Sequence, residues 1–339
     1  MEDCDNSRWK TCLEVKEDKM SVDIKPNQEL ISDTQQKLPV NLLFRVLCTA
    51  SGAVILLLMV GILFELGLNA LPAMREFGLG FLTSSAWDPV NGNFGALSSI
   101  YGTVVSTLIA LLIAVPMSLV IALFLVELAP KKLSGFFGTA IELLAAIPSI
   151  IYGMWGLFVF APFMANYIQP FLQKYLGFSP LFQGPQIGIG MLTAGIILAL
   201  MILPFISSVM RDVLRMVPPV MKESAYGLGA TTWETTRDVS IRYGLRGMVG
   251  AIFLGLGRAI GETMAVTFVI GNDHRLAASL FASGNTIAST LANEFTEADK
   301  AIYLSSLIYL GLVLFVITAL FQALAQIWLR FADRNRGSR

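Results

Sequence analysis

The sequence predicts an all-α polytopic membrane protein with six transmembrane helices, and three observations carry that reading. Of 339 residues, 55% are hydrophobic and 14% charged, with a mean hydropathy of +0.67, too apolar for a soluble globule. Apolar runs recur at about 42–71, 96–128, 136–167, 187–210, 247–271 and 301–329, each long enough as a helix to cross a hydrocarbon core of ~30 Å. Basic residues, finally, are divided unevenly among the connections.

Residues 1–40 hold nine acidic and six basic side chains, a net of −3, and read as a soluble, disordered cytoplasmic tail rather than a signal peptide. Arg45 anchors the start of the first run at a cytoplasmic end. The second run contains Pro116, the third Glu142 near its start with Pro148 and Pro162 inside, and the fourth Pro204. Spanning helices tolerate proline because neighbouring groups can satisfy the freed carbonyls.

The fifth run, GMVGAIFLGLGRAIGETMAVTFVIG from Gly247 to Gly271, carries Arg258 and Glu262 at its middle. Each charge there costs roughly 2.5–3.5 kcal/mol on insertion scales, so the pair predicts a face turned away from lipid. As one helix, positions four apart lie about 40° round the axis, on the face of Leu254, Gly261, Ala265 and Val269. Two readings stand together: a structural salt bridge, or a guanidinium fork meeting an anionic solute in transit. GLGRAIG is not a dinucleotide loop, because no strand precedes it; Gly257 and Gly261 read as close-approach positions for helices. Glu142, about 10 Å into its helix against about 18 Å for Arg258, is a second expected partner for that arginine.

Twelve basic residues lie after helices 2 and 4 and at the C-terminus: Lys131, Lys132, Arg211, Arg215, Lys222, Arg237, Arg242, Arg246, Arg330, Arg334, Arg336 and Arg339. Four lie in the other connections: Arg75, Lys174, Arg275 and Lys300. Both termini, including the basic segment 331–339, are therefore expected in the cytoplasm. Turn chemistry at Trp87-Asp88-Pro89, Asn91-Gly92 and Gly184-Pro185 suits the outer connections. Ile287, Leu291 and Phe295, four apart, predict a short amphipathic helix there. Cysteines at 4, 12 and 48 support no disulfide framework or metal site, and His274, the only histidine, reads as an ordinary loop residue. Zero net charge gives no argument for nucleic-acid binding.

The longest inner connection, 211–246, reads RDVLRMVPPVMKESAYGLGATTWETTRDVSIRYGLR. Pro218 and Pro219 end the incoming helix. Beyond them, 221–226 and 230–239 read as two short helices about the bend Gly227-Leu228-Gly229, either a docking knob or an interfacial element.

Glu223-Ser224-Ala225, three residues and then Gly229 resemble the EAA-x3-G coupling loop of ABC importer permeases. The I-x-L-P tail of that pattern reads Val239-Ser240-Ile241-Arg242 here, without the proline. ESAYGLGATTWE and LGLGRAIGETMAVTFVIGN, with FGALSSIYGT from 94, IELLAAIPSIIYGMWGLF from 141 and SLFASGNTIASTLANEF from 279, resemble the C-type permease subunits of bacterial high-affinity phosphate importers. The resemblance covers about 43–330 and implies a type I ABC importer permease domain over 41–330, in the bacterial cytoplasmic membrane. It implies a homologous A-type permease partner, a dimeric ATP-binding subunit that docks on Glu223, Ser224, Ala225, Gly227 and Gly229, and an extracytoplasmic phosphate-binding protein. It also implies a phosphate path past Arg258, Glu262 and Glu142. No G-x4-GK[ST] loop occurs, so ATP and Mg are expected on the partner and this chain is expected to hold no cofactor and catalyse no reaction. Alternatives are an importer of another oxyanion, or an ion-coupled carrier relaying protons through Glu142, Arg258 and Glu262.

The topology is tested with single cysteines at Ser84 and at Ser338, in a background lacking Cys4, Cys12 and Cys48. An impermeant thiol reagent on intact cells should label position 84 and spare 338; the reverse pattern would invert the topology.

Overall fold

The computed structural model describes residues 38–334. The acidic tail and the last five residues lie outside the described residues. The chain divides into two compact units, Met1–Ile62 and Leu63–Arg339, so that the first helix begins in one and ends in the other. Among the described residues the secondary structure is helical, with two isolated β-bridges.

In chain order the main helices are α1 (Leu38–Phe77), α2 (Leu97–Leu128), α3 (Lys131–Ala145), α4 (Ser149–Leu176), α5 (Met191–Arg215), α6 (Pro219–Gly227), α7 (Thr232–Ile260), α8 (Met264–Ile270), α9 (Ile287–Glu294) and α10 (Ala301–Arg334). Six of them, α1, α2, α4, α5, α7 and α10, are long and apolar enough to cross a membrane. Helix α2 ends in a widened π-turn over Phe124–Leu128, and α4 contains two more.

α5 is the central helix: 61% of its most apolar stretch is buried, against 28% in α2 and 22% in α4. Its neighbours approach through small residues. A Cβ on Gly255 of α7 would meet Ile206, and one on Gly247 would meet Val213. Gly195 of α5 itself lies against Ile109 of α2. The first amides of α5, which no helical carbonyl can satisfy, donate to the connection between α8 and α9: Met191 to the Ala282 carbonyl at 3.1 Å and Leu192 to that of Leu280 at 2.8 Å. A second apolar cluster gathers Ala70, Phe81, Phe94, Ile287, Tyr303 and Leu310.

Three expected elements differ. The third apolar run is two helices, because Ile147 precedes Pro148 and the proline ring disfavours helical geometry at that residue; Glu142 therefore sits on α3, ahead of the span. Pro162, by contrast, is absorbed inside α4. The expected second loop helix over 230–239 is the beginning of α7: with Arg242 where the coupling pattern has proline, nothing stops the helix. The fifth run is broken. α7 ends at Ile260, Gly261 to Thr263 leave the helix, and α8 restarts at Met264.

The connection between α1 and α2 follows its turn signals. Asp88 and Asn93 exchange backbone hydrogen bonds of 2.8 and 3.1 Å around Gly92, whose φ of 73° favours glycine. Ile287, Leu291 and Phe295 do mark a helix, α9, opened by a capping box between Thr286 and Ser289.

Candidate functional site

The elbow after α6 is built from two adjoining caps. The Ala230 amide donates to the Ala225 carbonyl at 3.0 Å and the Gly229 amide to that of Tyr226 at 2.9 Å, the two bonds of a Schellman closure. That closure needs a left-handed residue, and Gly229 supplies it with φ 88°. Immediately after, Thr231 and Glu234 form a capping box that starts α7: Glu234 Oε2 accepts from the Thr231 amide at 2.8 Å, and the Glu234 amide donates to Thr231 Oγ1 at 3.3 Å. Glu223, Ser224, Gly227 and Gly229 are exposed and Ala225 is half-buried. Leu228 at the tip is 90% exposed, with Val220 and Trp233 also open. A Cβ on Gly227 or Gly229 would meet no atom of this chain within 4 Å. The knob is rigid in backbone and apolar at its tip.

Behind it, two ion pairs tie the same end of the bundle. Lys222 Nζ lies 2.8 Å from Glu127 Oε1 at the end of α2. Arg211, 4% exposed at the end of α5, donates through Nη2 to Glu142 on α3 and to Asp212 Oδ1 at 3.1 Å. Gly138 leaves room for that guanidinium: an added Cβ would lie 2.5 Å from Arg211 Nη1. The expected Glu142–Arg258 bridge is therefore replaced by Glu142–Arg211. With α3 split from the span by Pro148, its glutamate meets the last turns of α5 instead.

The expected common face for Arg258 and Glu262 also fails, because the helix ends between them. Gly261 gives up helical geometry at low cost in bonding, and Glu262 Oε1 accepts from the Ala265 amide at 3.2 Å, satisfying a free donor at the start of α8. Arg258 makes no ion pair among the described residues. It is exposed, and its guanidinium carbon lies 5.8 Å from the centre of the Phe205 ring. What the structure offers there is a cation on the side of a spanning helix whose fork is not taken by a carboxylate.

At the other end of α2, some 28 residues or about 42 Å away from Glu127, a polar cluster gathers side chains from several segments. His274, expected as an ordinary loop residue, stacks on Trp87 with centroids 5.2 Å apart and donates from Nε2 to Glu294 Oε1 at 2.8 Å. Trp87 Nε1 and Tyr303 Oη donate to Glu294 Oε2 at 2.6 and 2.8 Å. Asn285 Nδ2 reaches Ser99 Oγ at 2.8 Å and Thr290 Oγ1 at 3.1 Å, and Gly102 gives its loop room, since a Cβ there would overlap the Asn285 carbonyl. Burial pushes the Glu294 carboxyl up, but the hydrogen bonds from His274 and Tyr303 outweigh it and hold the group below its ordinary range.

Comparison with known proteins decides the family. The model of the binding-protein-dependent transport system inner membrane component matches residues 114–334. The chain belongs to this family. Among its relatives is the phosphate transport system permease protein PstC of Mesorhizobium japonicum, 52% identical over 300 residues that cover 87% of this chain and 92% of that protein. The PstC of Pasteurella multocida is 48% identical over 88% of this chain and 94% of its own length. A probable PstC of Methanocaldococcus jannaschii is 39% identical over 81% and 89%. Among solved structures, a bacterial ABC transporter involved in the import of the acidic polysaccharide alginate aligns over 88% of this chain and 98% of its own, with a TM-score of 0.52 and 15% identity, a likeness of fold.

Within this permease, sequence reasoning missed Glu127 as a partner of the loop, Arg211 as the buried cation of the bundle, and the His274–Glu294 cluster. One missed signal was readable: Thr231 and Glu234 have capping-box spacing, which moves the helix start from 230 to 232. The others join residues 69 or more positions apart, or depend on a side chain whose neighbours come from two connections and a spanning helix.

Glu294 supplies a pH test. Because its folded value is depressed, its stabilisation is present above the ordinary glutamate value of 4.5 and is lost as pH falls through the lower folded value. Glu294→Gln should therefore lower the melting temperature of the purified protein at pH 7, with the difference from wild type shrinking below about pH 4.5. A difference independent of pH would show that the charge of Glu294 plays no part.

Proposed function

We propose that this chain is the transmembrane permease subunit of an ATP-driven importer that moves inorganic phosphate into the cytoplasm. The observation that carries the reading is the exposed elbow at Gly227 to Gly229, on a permease whose relatives across most of its length are named for phosphate transport. The elbow end is also the basic end of the chain, which supports a cytoplasmic location for it and for both termini. There it would dock on a dimeric ATP-binding subunit that binds ATP and Mg. At the opposite face an extracytoplasmic binding protein would deliver phosphate, and a homologous A-type permease would complete the pathway in the lipid bilayer.

Arg258 is the group of this chain we assign to the phosphate path. Its exposure on a spanning helix and its freedom from carboxylate partners support that role, since a planar guanidinium matches phosphate oxygens with two parallel donors. Glu262 helps form the break at Gly261 that sets the arginine near the end of α7. Glu142 acts away from the path, as the anchor of Arg211.

Uptake of radiolabelled phosphate by the reconstituted complex tests the assignment, with sulfate and molybdate as competitors. Because Glu262 already accepts from a backbone amide, Arg258→Gln strands no ion pair. The variant should assemble normally and lose uptake at least tenfold, and Arg258→Lys should transport poorly for want of the fork. Normal uptake by assembled Arg258→Gln would remove the arginine from the path; uptake of sulfate in preference to phosphate would change the cargo.

Gly229→Val tests the docking. A β-branched residue is strained at φ 88°, and its side chain would project outward, where this chain has no atoms. Stimulation of ATP hydrolysis by loaded binding protein should fall while the permease still inserts. Unchanged stimulation would leave the elbow as an interfacial element.

A further inference from the structure

We propose that the Lys222–Glu127 ion pair is the link through which movement of α6 reaches α2, so that these two residues position the end of α2 during transport. The inference rests on the reading of the α6 elbow as the docking site of an ATPase.

On α6, the polar side chains of the coupling motif face out, whereas Lys222 turns back toward the bundle. Its side chain is 20% exposed and that of Glu127 is 8% exposed. A pair this sheltered is screened little by salt, and removal of one member leaves the other charge in a poorly hydrated place. It joins a helix that has only nine residues, and few packing contacts of its own, to a spanning helix. No residue of α6 is fully buried, so an ion pair rather than apolar interlocking carries the connection.

The end of α2 is built to move with such a link. Glu127 lies in the π-turn Phe124–Leu128, where the widened backbone departs from regular helical hydrogen bonding. The Leu125 carbonyl in that turn is met from outside the helix, by Ser134 Oγ of α3 at 2.7 Å. On the side facing the start of α7, the turn borders a cavity of about 480 Å³ lined by Val120, Leu123, Phe124, Glu127, Trp233 and Thr236. Tight packing therefore holds the α2 end on one side only. A displacement of α6 can draw Glu127 with it without first displacing a filled core.

α2 then carries the displacement along its length. Its far end is tied to the outer cluster, where Thr103 Oγ1 accepts from the Ile287 amide at 3.0 Å and Ser99 Oγ from Asn285 Nδ2 at 2.8 Å. One continuous helix thus touches both the docking knob and the outer loops.

The test uses the complete reconstituted complex with loaded binding protein, measuring ATPase co-purification, ATP hydrolysis and phosphate moved per ATP. Glu127→Gln and Lys222→Met should retain the ATPase subunit and its basal hydrolysis, while phosphate moved per ATP falls at least fivefold. Lys222→Arg, which keeps the charge, should stay coupled. The exchange Lys222→Glu with Glu127→Lys should restore most of the ratio, which a role in folding alone would not require. A normal ratio in both single variants overturns the proposal. So does an exchange variant that recovers melting temperature but not the ratio. If the single variants fail to assemble, the exchange and Lys222→Arg decide by the same ratio. Failure of the wild-type permease to retain an ATPase through Gly229 would be a failure of the docking reading itself, visible in the co-purification before any ratio is measured.

Discussion

The close approach of helices to α5 is the constraint on which the rest of this permease depends. In a lipid environment, helices gain little from hiding apolar surface from one another and associate instead by close contact. Gly195, Gly247 and Gly255 remove the side chains that would hold α2 and α7 away from α5. Once these backbones are close, the ends of the helices are placed too, and the ion pairs of the bundle sit at such ends. Arg211 closes one end of α5 and the loop carbonyls of Leu280 and Ala282 close the other.

Charge is handled differently at each level of the bundle. At the elbow end the buried Arg211 and the half-buried Lys222 are paired across helices, with Glu142 and Glu127. At the opposite end a single carboxylate, Glu294, gathers three donors from three separate segments. Arg258 alone among these cations is given an aromatic neighbour in place of an acid. A paired guanidinium has its donors occupied, so it cannot serve a passing anion without first breaking a bond. One resting near Phe205 keeps its fork free of any carboxylate among the described residues.

The break at Gly261 shows how a local choice sets the partners of a charged side chain. A continuous helix through 247–271 would have put Glu262 on the face of Arg258 and neutralised it. Ending α7 at Ile260 sends the carboxylate to the amide of Ala265 instead. The same logic separates α3 from α4: Pro148 frees Glu142 from the span and delivers it to Arg211.

From its sequence alone this protein could be read as a six-span membrane protein with a glycine elbow, because hydropathy and the placing of Gly227 and Gly229 are local quantities, while the permease reading rested on the resemblance of its motifs. The turn at Asn91-Gly92 and the helix at 287–294 were legible for the same reason. Which proline breaks a helix was not: Pro148 and Pro162 have similar local signals, and only the packing around each decides whether the freed backbone groups find partners. Nor could sequence assign the partners of Arg258, Glu142, Glu127 or His274. An ion pair is made by whichever groups the fold brings within about 4 Å, and here those groups lie on helices and connections that only the tertiary packing brings together.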